Sequence, residues 1–201
     1  MVTDVAASAP ASTLVAVDRE QLMVELVDPA GRAVGSCPVR EAHTAPGRLH
    51  RAFSVLLYDP AGRVLLQQRA AVKTRFALRW SNTCCGHPAP GQDPVAAATT
   101  RLAEELGITA AQITPLAEAG VFRYRADDAA SKYVEHEWDH VFVATLTEGV
   151  PAADESEVRE VRWAKPGALG VEIAARPDNF TPWLSGVLDI ADRVGPEETQ
   201  P

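Results

Sequence analysis

The sequence predicts an α+β domain in which a mixed β-sheet packs between helices. Three observations support this fold class: two strand pairs that enclose the same Asp-Pro-Ala-Gly tetrapeptide, one well-capped helix near the middle of the chain, and a second helix near its end. Strands joined in hairpins, combined with separate helices, are typical of α+β proteins. The 201 residues are enough for one well-buried domain,.

Two hairpins are predicted in the first third of the chain. The first pairs residues 24–27 with residues 33–35, and the second pairs residues 52–58 with residues 64–68. In the enclosed tetrapeptide, Asp and Pro favour the turn conformation and Gly accepts a positive φ. Apolar runs bounded by such turns are typical of antiparallel strands.

A helix is predicted over the residues that follow Asp93. Asp93 is a suitable N-cap because its carboxylate can accept hydrogen bonds from the first free amides, and Pro94 fits the first helical position. Gly107 is a suitable end because glycine readily adopts the conformation that stops a helix. Apolar side chains recur at helical spacing in between: Val95, Ala98, Leu102 and Leu106.

The second half of the chain continues the same pattern. Strands are predicted near residues 119–124, 137–146 and 158–163, and a last helix begins at residues 181–183 and runs towards Arg193,.

One domain is expected over residues 13–194, since no internal repeat or linker divides it. Residues 1–12 are rich in Ala, Ser and Pro and predict a disordered lead-in, and residues 195–201 predict a flexible tail,.

Net charge and cysteine content indicate which binding partners and which cellular compartment to expect. The formal net charge is −8, which disfavours generic binding to nucleic acid or to an anionic membrane surface,. No apolar run approaches the ~20 residues that span a bilayer, and the first ten residues lack the basic residues of a signal peptide,. Three cysteines, two of them adjacent, make a poor disulfide framework,. We therefore expect a cytoplasmic protein.

A Cys-Gly-His element at residues 85–87 opens a stretch that resembles the hydrolase motif of the Nudix superfamily. Counted from Gly86, the chain keeps the spacing of the Nudix motif,. That motif is Gly, five residues, Glu, seven residues and then Arg-Glu-apolar-any-Glu-Glu-any-Gly-apolar. Five positions also keep the residue type: Leu102, Glu104, Glu105, Gly107 and Ile108. Gln92, Thr100 and Arg101, however, replace a Glu, an Arg and a Glu that help to hold metal and water in a hydrolase. The pattern favours diphosphate recognition without hydrolysis.

Five side chains have the chemistry of divalent-metal ligands: His43, His50, His87, Glu135 and Glu137. Glu135 and Glu137 alternate in a predicted strand, so their carboxylates should share one face. Imidazole combined with carboxylate favours zinc or manganese over magnesium. The alternative is ordinary: single histidines are often exposed, and alternate glutamates often line the wet side of a strand.

Cys85 is a candidate acid or base because it lies two residues before His87. A nearby metal or helix N-terminus would lower the pKa of its thiol, whereas a free cysteine is otherwise commonly a small buried side chain. Cys84 is expected to be structural. Trp183 is either core or a face that contacts a cation in a dry pocket.

A dense basic group near the motif is suited to gripping phosphate: Arg69, Lys73, Arg75, Arg79 and Arg101,. Of these we expect Arg75 to lie in a solvated loop. Glu104 and Glu105 lie on the motif helix, where either is a candidate ligand for magnesium that bridges a diphosphate.

Together these elements resemble the type I isopentenyl-diphosphate isomerases, a branch of the Nudix superfamily. The matching segments occur in the family's order: residues 42–44, 48–50, 82–88, 122–125, 134–137 and 182–183. The Cys-Gly-His-Pro and Glu-any-Glu elements are specific to this branch.

The resemblance implies a role for each matching residue. It implies a site for one Mn²⁺, Zn²⁺ or Mg²⁺ ion with three imidazole and two carboxylate ligands: His43, His50, His87, Glu135 and Glu137. Cys85 and Glu137 match the acid/base pair that faces the substrate from opposite sides. Tyr124 matches a tyrosine that hydrogen-bonds Glu137, and Trp183 matches the aromatic residue beside the reacting carbon.

The resemblance also implies how the diphosphate is held. Glu105 matches the ligand of a second, substrate-linked Mg²⁺, and three basic residues match diphosphate contacts: Arg69, Lys73 and Arg101. The chain departs from the family at Val39, four residues before His43, where a lysine that contacts the diphosphate is expected. Arg40 beside it is the candidate replacement.

The implied activity is the reversible conversion of isopentenyl diphosphate into dimethylallyl diphosphate. One proton is added to the alkene and another is removed two carbons away through a tertiary carbocation, which requires a positioned acid and base and a site without water. Two alternatives remain: a metal-dependent Nudix hydrolase of a nucleoside or prenyl diphosphate, and a non-catalytic Nudix-fold sensor. The lost motif carboxylates disfavour the first. The sequence leaves open the oligomeric state and the acceptance of longer prenyl diphosphates.

Overall fold

The computed structural model describes residues 18–193. The strands in this range are β1 (Met23–Val27), β2 (Ala33–Pro38), β3 (His50–Tyr58), β4 (Val64–Arg69), β5 (Trp80–Ser81), β6 (Cys84–Gly86), β7 (Ala117–Asp127), β8 (Val134–Thr145) and β9 (Val158–Ala164). The helices are α1 (Val39–His43), α2 (Pro94–Leu106), α3 (Pro166–Ala175) and α4 (Leu184–Ala191). Short 3₁₀ turns occur at Arg19–Gln21, Ala110–Gln112 and Pro177–Asn179.

Strand β3 is the centre of a mixed sheet. It pairs in parallel with β8 along its whole length and antiparallel with β6. Its two ends contact β1 and β4, and β7 pairs antiparallel with β8 on the outer side. Strand β4 extends the sheet through β5 and β9. The parallel β3–β8 pair within otherwise antiparallel pairing confirms the mixed sheet that the sequence predicts.

Both predicted turns form and are closed by their aspartates, but only the first hairpin has the predicted pairing. In the second, β3 and β4 pair only at Tyr58 and Val64, because β6 and β8 pair with β3 and β9 pairs with β4. Asp28 Oδ1 accepts hydrogen bonds from the amides of Ala30 and Arg32 at 2.8 and 3.0 Å, and the equivalent turn after β3 is built in the same way. Gly31 has a φ of 77°, and a Cβ there would lie 2.5 Å from the ring of Trp138. Glycine is therefore required both for the turn and for the close approach of β8.

The predicted capped helix is α2, and it begins and ends at the predicted residues. Asp93 accepts a hydrogen bond from the amide of Ala96 at 3.2 Å, and Gly107 ends the helix with a φ of 64°. Leu102 is fully buried, as its helical spacing predicts, whereas Val95 in the first turn is exposed.

Helices cover both faces of the sheet. Because side chains alternate along a strand, Phe53 and Val55 of β3 pack on α2, while Leu56 packs towards α4. The α2 side includes Ala98, Leu102, Leu106 and Phe142, and the α4 side includes Val141, Phe180, Trp183, Leu184 and Val187. This arrangement confirms the expected sheet between helices.

Several elements were not predicted from the sequence. Strands β5 and β6 contain only two and three residues, too few for a periodic pattern. Helix α3 contains Gly167 and Gly170, which are poor helix formers,. The expected lead-in over residues 1–12 and tail over residues 195–201 lie outside the described range. Within residues 18–193, no helix combines the length and apolar character needed to cross a membrane.

Candidate active site

Three histidines and two glutamates meet in one cluster although they come from four segments of the chain. Each offers a ligand atom, and these atoms lie within 4.8 Å of one another: His43, His50, His87, Glu135 and Glu137. The three imidazole centroids are 4.6 to 5.0 Å apart. The structure thus brings together all five residues that the sequence indicated as metal ligands.

Sheet pairing places three members of the cluster side by side. The parallel register of β3 and β8 sets His50 directly opposite Glu137. The antiparallel register of β6 and β3 sets Gly86 opposite Phe53, so that His87, the next residue, comes to the beginning of β3.

The other two ligands arrive through α1 and the beginning of β8. Glu135 lies two residues before Glu137 and therefore shares its face of the strand. An isolated bridge between Thr44 and Tyr133 ties the end of α1 to this strand and places His43 beside Glu135. The two atoms His43 Nε2 and Glu135 Oε2 are 2.7 Å apart.

The outer hydrogen bonds of the buried histidines fix which nitrogen faces the cluster. Nδ1 of His43 lies 2.7 Å from the carbonyl oxygen of Val39, and Nδ1 of His50 lies 2.7 Å from that of Arg48. A carbonyl oxygen only accepts hydrogen bonds, so both Nδ1 atoms carry the proton. The Nε2 lone pairs are therefore directed into the cluster, the arrangement found around metal-binding histidines.

Unpaired buried atoms support a divalent cation in this cluster. Within the described residues, Nε2 of His43, Nε2 of His50 and Oε2 of Glu135 are buried and form no hydrogen bond of acceptable geometry. Such atoms are rare in folded proteins. Three imidazole nitrogens and two carboxylates that surround them are a suitable donor set for a first-row divalent ion.

Glu137 is held at both carboxylate oxygens. Tyr124 donates its phenol hydrogen to Oε2 at 2.7 Å, and Nε2 of His87 lies 2.9 Å from Oε1. Nε2 of His50 is 3.7 Å from Oε1, too far for a hydrogen bond. Burial raises the pKa of Glu137, but the neighbouring imidazoles outweigh it and hold this pKa well below its usual range.

Cys85 lies on β6 and is partly accessible, whereas Cys84 is fully buried in the core against α2. Nη1 of Arg69 donates to Cys85 Sγ at 3.8 Å. Burial raises the pKa of the Cys85 thiol to about 12, although the Arg69 guanidinium acts in the opposite direction. The surrounding protein therefore raises this pKa, because desolvation outweighs the nearby positive charge of Arg69,. The lowering expected from a metal ion bound nearby stays a prediction.

Trp183 is buried, and its ring lies near both Tyr124 and Arg69. Its ring centroid is 5.8 Å from that of Tyr124, and the Arg69 guanidinium carbon lies 5.8 Å from its ring centroid. Its Nε1 donates to Oδ1 of Asn82 at 3.0 Å. Asn82 also donates to the carbonyl oxygen of Cys84 at 2.6 Å. Asn82 therefore connects the indole to the strand that carries Cys85.

Sequence reasoning did not assign this role to Asn82. The available signal was the single amide side chain in the short segment between Trp80 and Cys85.

The expected diphosphate contacts lie near each other but are paired with acidic residues. Lys73 forms an ion pair with Glu157, and Nη2 of Arg101 lies 3.4 Å from the same carboxylate. Arg101 also pairs with Glu105, whose other oxygen accepts a hydrogen bond from Gln67 at 3.1 Å. Glu157 was missed from the sequence because its partners are distant along the chain.

The structure bears on the expected environment of Arg75 and on the departure from the family at Val39. Arg75 is not solvated: its side chain is 11% exposed and forms ion pairs with Glu20 and Glu135. The expectation was wrong because both partners are remote in sequence. Val39 is buried in a small apolar cluster, and Arg40 beside it is exposed.

Comparisons with known proteins agree with this geometry. The NUDIX domain family matches residues 48–184. The chain is 64% identical over 169 residues to an isopentenyl-diphosphate Delta-isomerase of Nocardia farcinica, covering 84% of this chain and 94% of that protein. It is 46% identical over 182 residues to the isopentenyl-diphosphate Delta-isomerase of Streptomyces griseus, covering 90% of this chain and 89% of that protein.

Solved structures show the same fold at low identity. DR0079 from Deinococcus radiodurans superimposes with a TM-score of 0.67 at 16% identity, covering 85% of this chain and 99% of that chain. The Nudix hydrolase RenU from M. smegmatis superimposes with a TM-score of 0.55 at 19% identity, covering 80% and 95%.

Proposed function

This chain belongs to the isopentenyl-diphosphate Delta-isomerases, within the Nudix family, and from that premise we propose that it interconverts isopentenyl diphosphate and dimethylallyl diphosphate through Cys85 and Glu137. The observation that carries the proposal is the arrangement around Glu137. Its carboxylate is fixed by Tyr124 and His87 beside a buried cluster of metal-ligand chemistry. A partly accessible thiol and a buried indole complete the site.

The proposed chemistry is a shift of one double bond. In the direction of dimethylallyl diphosphate, a C–H bond forms at C4 of the alkene, the positive charge resides on the tertiary carbon C3, and a C–H bond breaks at C2. Cys85 and Glu137 supply and remove the two protons, and they exchange roles when the reaction runs backwards. Positioned acid and base groups contribute typically ~10²–10⁴-fold to a rate.

Trp183 is placed to stabilise the cationic intermediate. An indole face attracts a positive charge, and the attraction is strongest where water is excluded. The tryptophan is buried, and Asn82 holds its ring in one orientation through the indole N–H.

We assign one Mn²⁺, Zn²⁺ or Mg²⁺ ion to the cluster of three histidines and two glutamates. Three nitrogen donors favour manganese or zinc. A bound ion would supply positive charge that positions Glu137 and tunes its acidity. Because Nδ1 of His43 and of His50 is already hydrogen-bonded outwards, both rings can keep their orientation when an ion is bound.

The diphosphate is proposed to bind at the basic group formed by Arg69, Lys73 and Arg101. Glu105 is proposed as the ligand of a second, substrate-linked Mg²⁺ ion. Glu157 currently neutralises Lys73 and Arg101, so the anionic substrate would compete with this carboxylate for the same cations. The remote binding energy of the diphosphate then serves to orient the alkene at the acid/base pair.

Hydrolysis of the diphosphate is disfavoured at the motif positions themselves. Thr100 donates its hydroxyl to the carbonyl oxygen of Ala96 within α2, and Gln92 accepts a hydrogen bond from the amide of Ala89. Arg101 is engaged with acidic residues. None of the three supplies a carboxylate for a metal-activated water. The three free cysteines agree with the proposed reducing, cytoplasmic setting,.

The experiment that tests this function is proton NMR of the purified protein with isopentenyl diphosphate, Mg²⁺ and Mn²⁺ in deuterated water. We expect deuterium at C2 and C4 as dimethylallyl diphosphate appears, with no release of phosphate. Phosphate release without the isomer would contradict the proposal and indicate a hydrolase. Absence of both products would also contradict it.

A further inference from the structure

Arg75 joins the candidate metal cluster to a distant segment of the chain and has no role in the proposed reaction. Its Nη1 donates to the two carboxylate oxygens of Glu20 at 2.9 and 3.0 Å. Its Nε lies 3.3 Å from Oε1 of Glu135. The guanidinium carbon also lies 5.7 Å from the ring centroid of Tyr133, two residues before Glu135. Four contacts therefore fix a side chain that is nearly buried.

The two oxygens of Glu135 are divided between Arg75 and the cluster. Oε1 is the oxygen near Arg75, and Oε2 is the oxygen 2.7 Å from Nε2 of His43. Arg75 Nε and Glu135 Oε1 form an ion pair without hydrogen-bond geometry. Their electrostatic attraction favours Oε1 on the Arg75 side, and Oε2 is then directed at the imidazoles. Partners of this kind orient metal ligands from outside the coordination shell.

The main chain of residue 75 is equally well fixed. Its carbonyl oxygen accepts two hydrogen bonds from Arg69, from Nε at 3.2 Å and from Nη2 at 3.0 Å. The next amide, that of Phe76, donates to Oδ2 of Asp128 at 2.9 Å. The loop therefore presents the Arg75 side chain to Glu135 from an anchored backbone.

We propose that Arg75 is a positioning residue that sets the orientation of Glu135 and thereby the metal affinity of the cluster, with Glu20 as its counter-ion. This inference rests on the proposed metal-binding role of the cluster. It links the 3₁₀ turn Arg19–Gln21 to the metal site, because Glu20 in that turn holds the guanidinium against Glu135. A merely structural role for Arg75 would change the stability of the protein and leave its metal affinity unaltered.

The test measures Mn²⁺ binding by isothermal titration calorimetry on wild type, R75Q, R75K and E20Q after removal of metal with a chelator. Loss of an outer-shell partner typically costs 10–100-fold in metal affinity. We expect R75Q to weaken Mn²⁺ binding by about this factor, and R75K and E20Q to weaken it less. The electron paramagnetic resonance spectrum of Mn²⁺ bound to R75Q should also differ from that of wild type, because the geometry of one ligand changes.

The matched control is R162Q. Arg162 also pairs with both oxygens of one glutamate, Glu172, at 2.9 and 3.0 Å, and stacks on an aromatic ring, Trp80, at 4.6 Å. It does not contact the cluster, so R162Q should bind Mn²⁺ as wild type does. Thermal unfolding of the metal-free variants separates loss of stability from loss of affinity.

Wild-type Mn²⁺ affinity in a folded R75Q would overturn the positioning role while leaving the proposed function intact. If R75Q does not fold, E20Q decides the question, since unchanged affinity there would overturn the role of the Glu20–Arg75 pair. A wild-type protein that binds no Mn²⁺, or whose binding survives His43→Ala unchanged, would instead contradict the metal site on which the inference rests.

Discussion

Tyr124 and Glu137 are direct cross-strand partners on β7 and β8, and the phenol of one donates to Oε2 of the other over 2.7 Å. The contact is a consequence of sheet register, which places the two side chains on the same face at closest approach. Burial and the charge of Glu137 raise the pKa of Tyr124 well above its usual value. The phenol therefore stays protonated and remains a donor throughout the neutral range.

Tyr124→Phe should lower kcat by roughly 10–100-fold, the range typical of losing a partner that orients a functional carboxylate. The Glu137 carboxylate would keep His87 but lose its second restraint, while the ring packing against Trp183 remains. Turnover measured by NMR checks this prediction. Tyr58→Phe is the matched control, because Tyr58 is a largely buried tyrosine at the far end of β3 and should leave kcat unchanged. An unaltered kcat in Tyr124→Phe would show that the hydrogen bond does not position Glu137.

Cys85→Ala and Glu137→Gln should each reduce turnover by at least ~10²–10⁴-fold and leave the protein folded, because each removes one end of the proton shift. Circular dichroism and turnover measurements check the two halves of this statement. Cys84→Ala is the control: its thiol is fully buried in the core, so this variant should lose some stability and keep the chemistry. Near-wild-type turnover in either of the first two variants would rule out the assigned acid/base pair.

Lys73→Ala should raise KM for isopentenyl diphosphate by about 10–100-fold with a smaller effect on kcat. A charge-assisted hydrogen bond contributes roughly 1.5–3 kcal/mol, and a contact made equally in the ground and transition states appears in KM alone. Steady-state kinetics at saturating Mg²⁺ checks the prediction. Lys165→Ala removes an exposed lysine at the beginning of α3 and should change neither constant. If KM stays the same in Lys73→Ala, the diphosphate lies elsewhere.

Asp128→Asn should make the free energy of unfolding less dependent on pH in the acidic range. Burial raises the pKa of Asp128, but hydrogen bonds from the amide of Phe76 and the hydroxyl of Ser131 have the opposite effect. Together the lowering effects outweigh burial, so the pKa lies below its usual value of 3.8. A carboxyl whose folded pKa is depressed stabilises the protein above the unfolded pKa, and this contribution is lost as the pH falls through the folded pKa. Asp128 therefore stabilises fully at pH 5 to 7 and progressively less below about 4.

Urea unfolding at pH 7, 5, 4 and 3 measures this effect. The variant should be less stable than wild type at pH 7, and the difference should shrink as the pH falls through the acidic range. A constant difference at every pH would mean that the Asp128 charge does not hold the loop that carries Phe76 and Arg75.

Local sequence signals explain the parts of the fold that were predicted correctly. The hairpin turns after β1 and β3 and the limits of α2 depend on contacts between near neighbours, such as Asp93 with Ala96 or Asp28 with Ala30. Elements without such signals were missed or misjudged in extent. Strand β7 runs over residues 117–127 and not 119–124, because its ends are set by pairing with β8 and not by its own composition.

The sequence by itself determined the fold class, the family and the residue types of the site, because motif spacing and turn chemistry are written along the chain. Only the tertiary structure decided which charges meet. Lys73 and Arg101 share Glu157, and Arg75 lies between Glu20 and Glu135 in place of the solvent expected for it. It also decided that burial controls the pKa of Cys85. Ion pairs and desolvation depend on distances across the sheet, and these are fixed by the packing of segments that are remote in sequence.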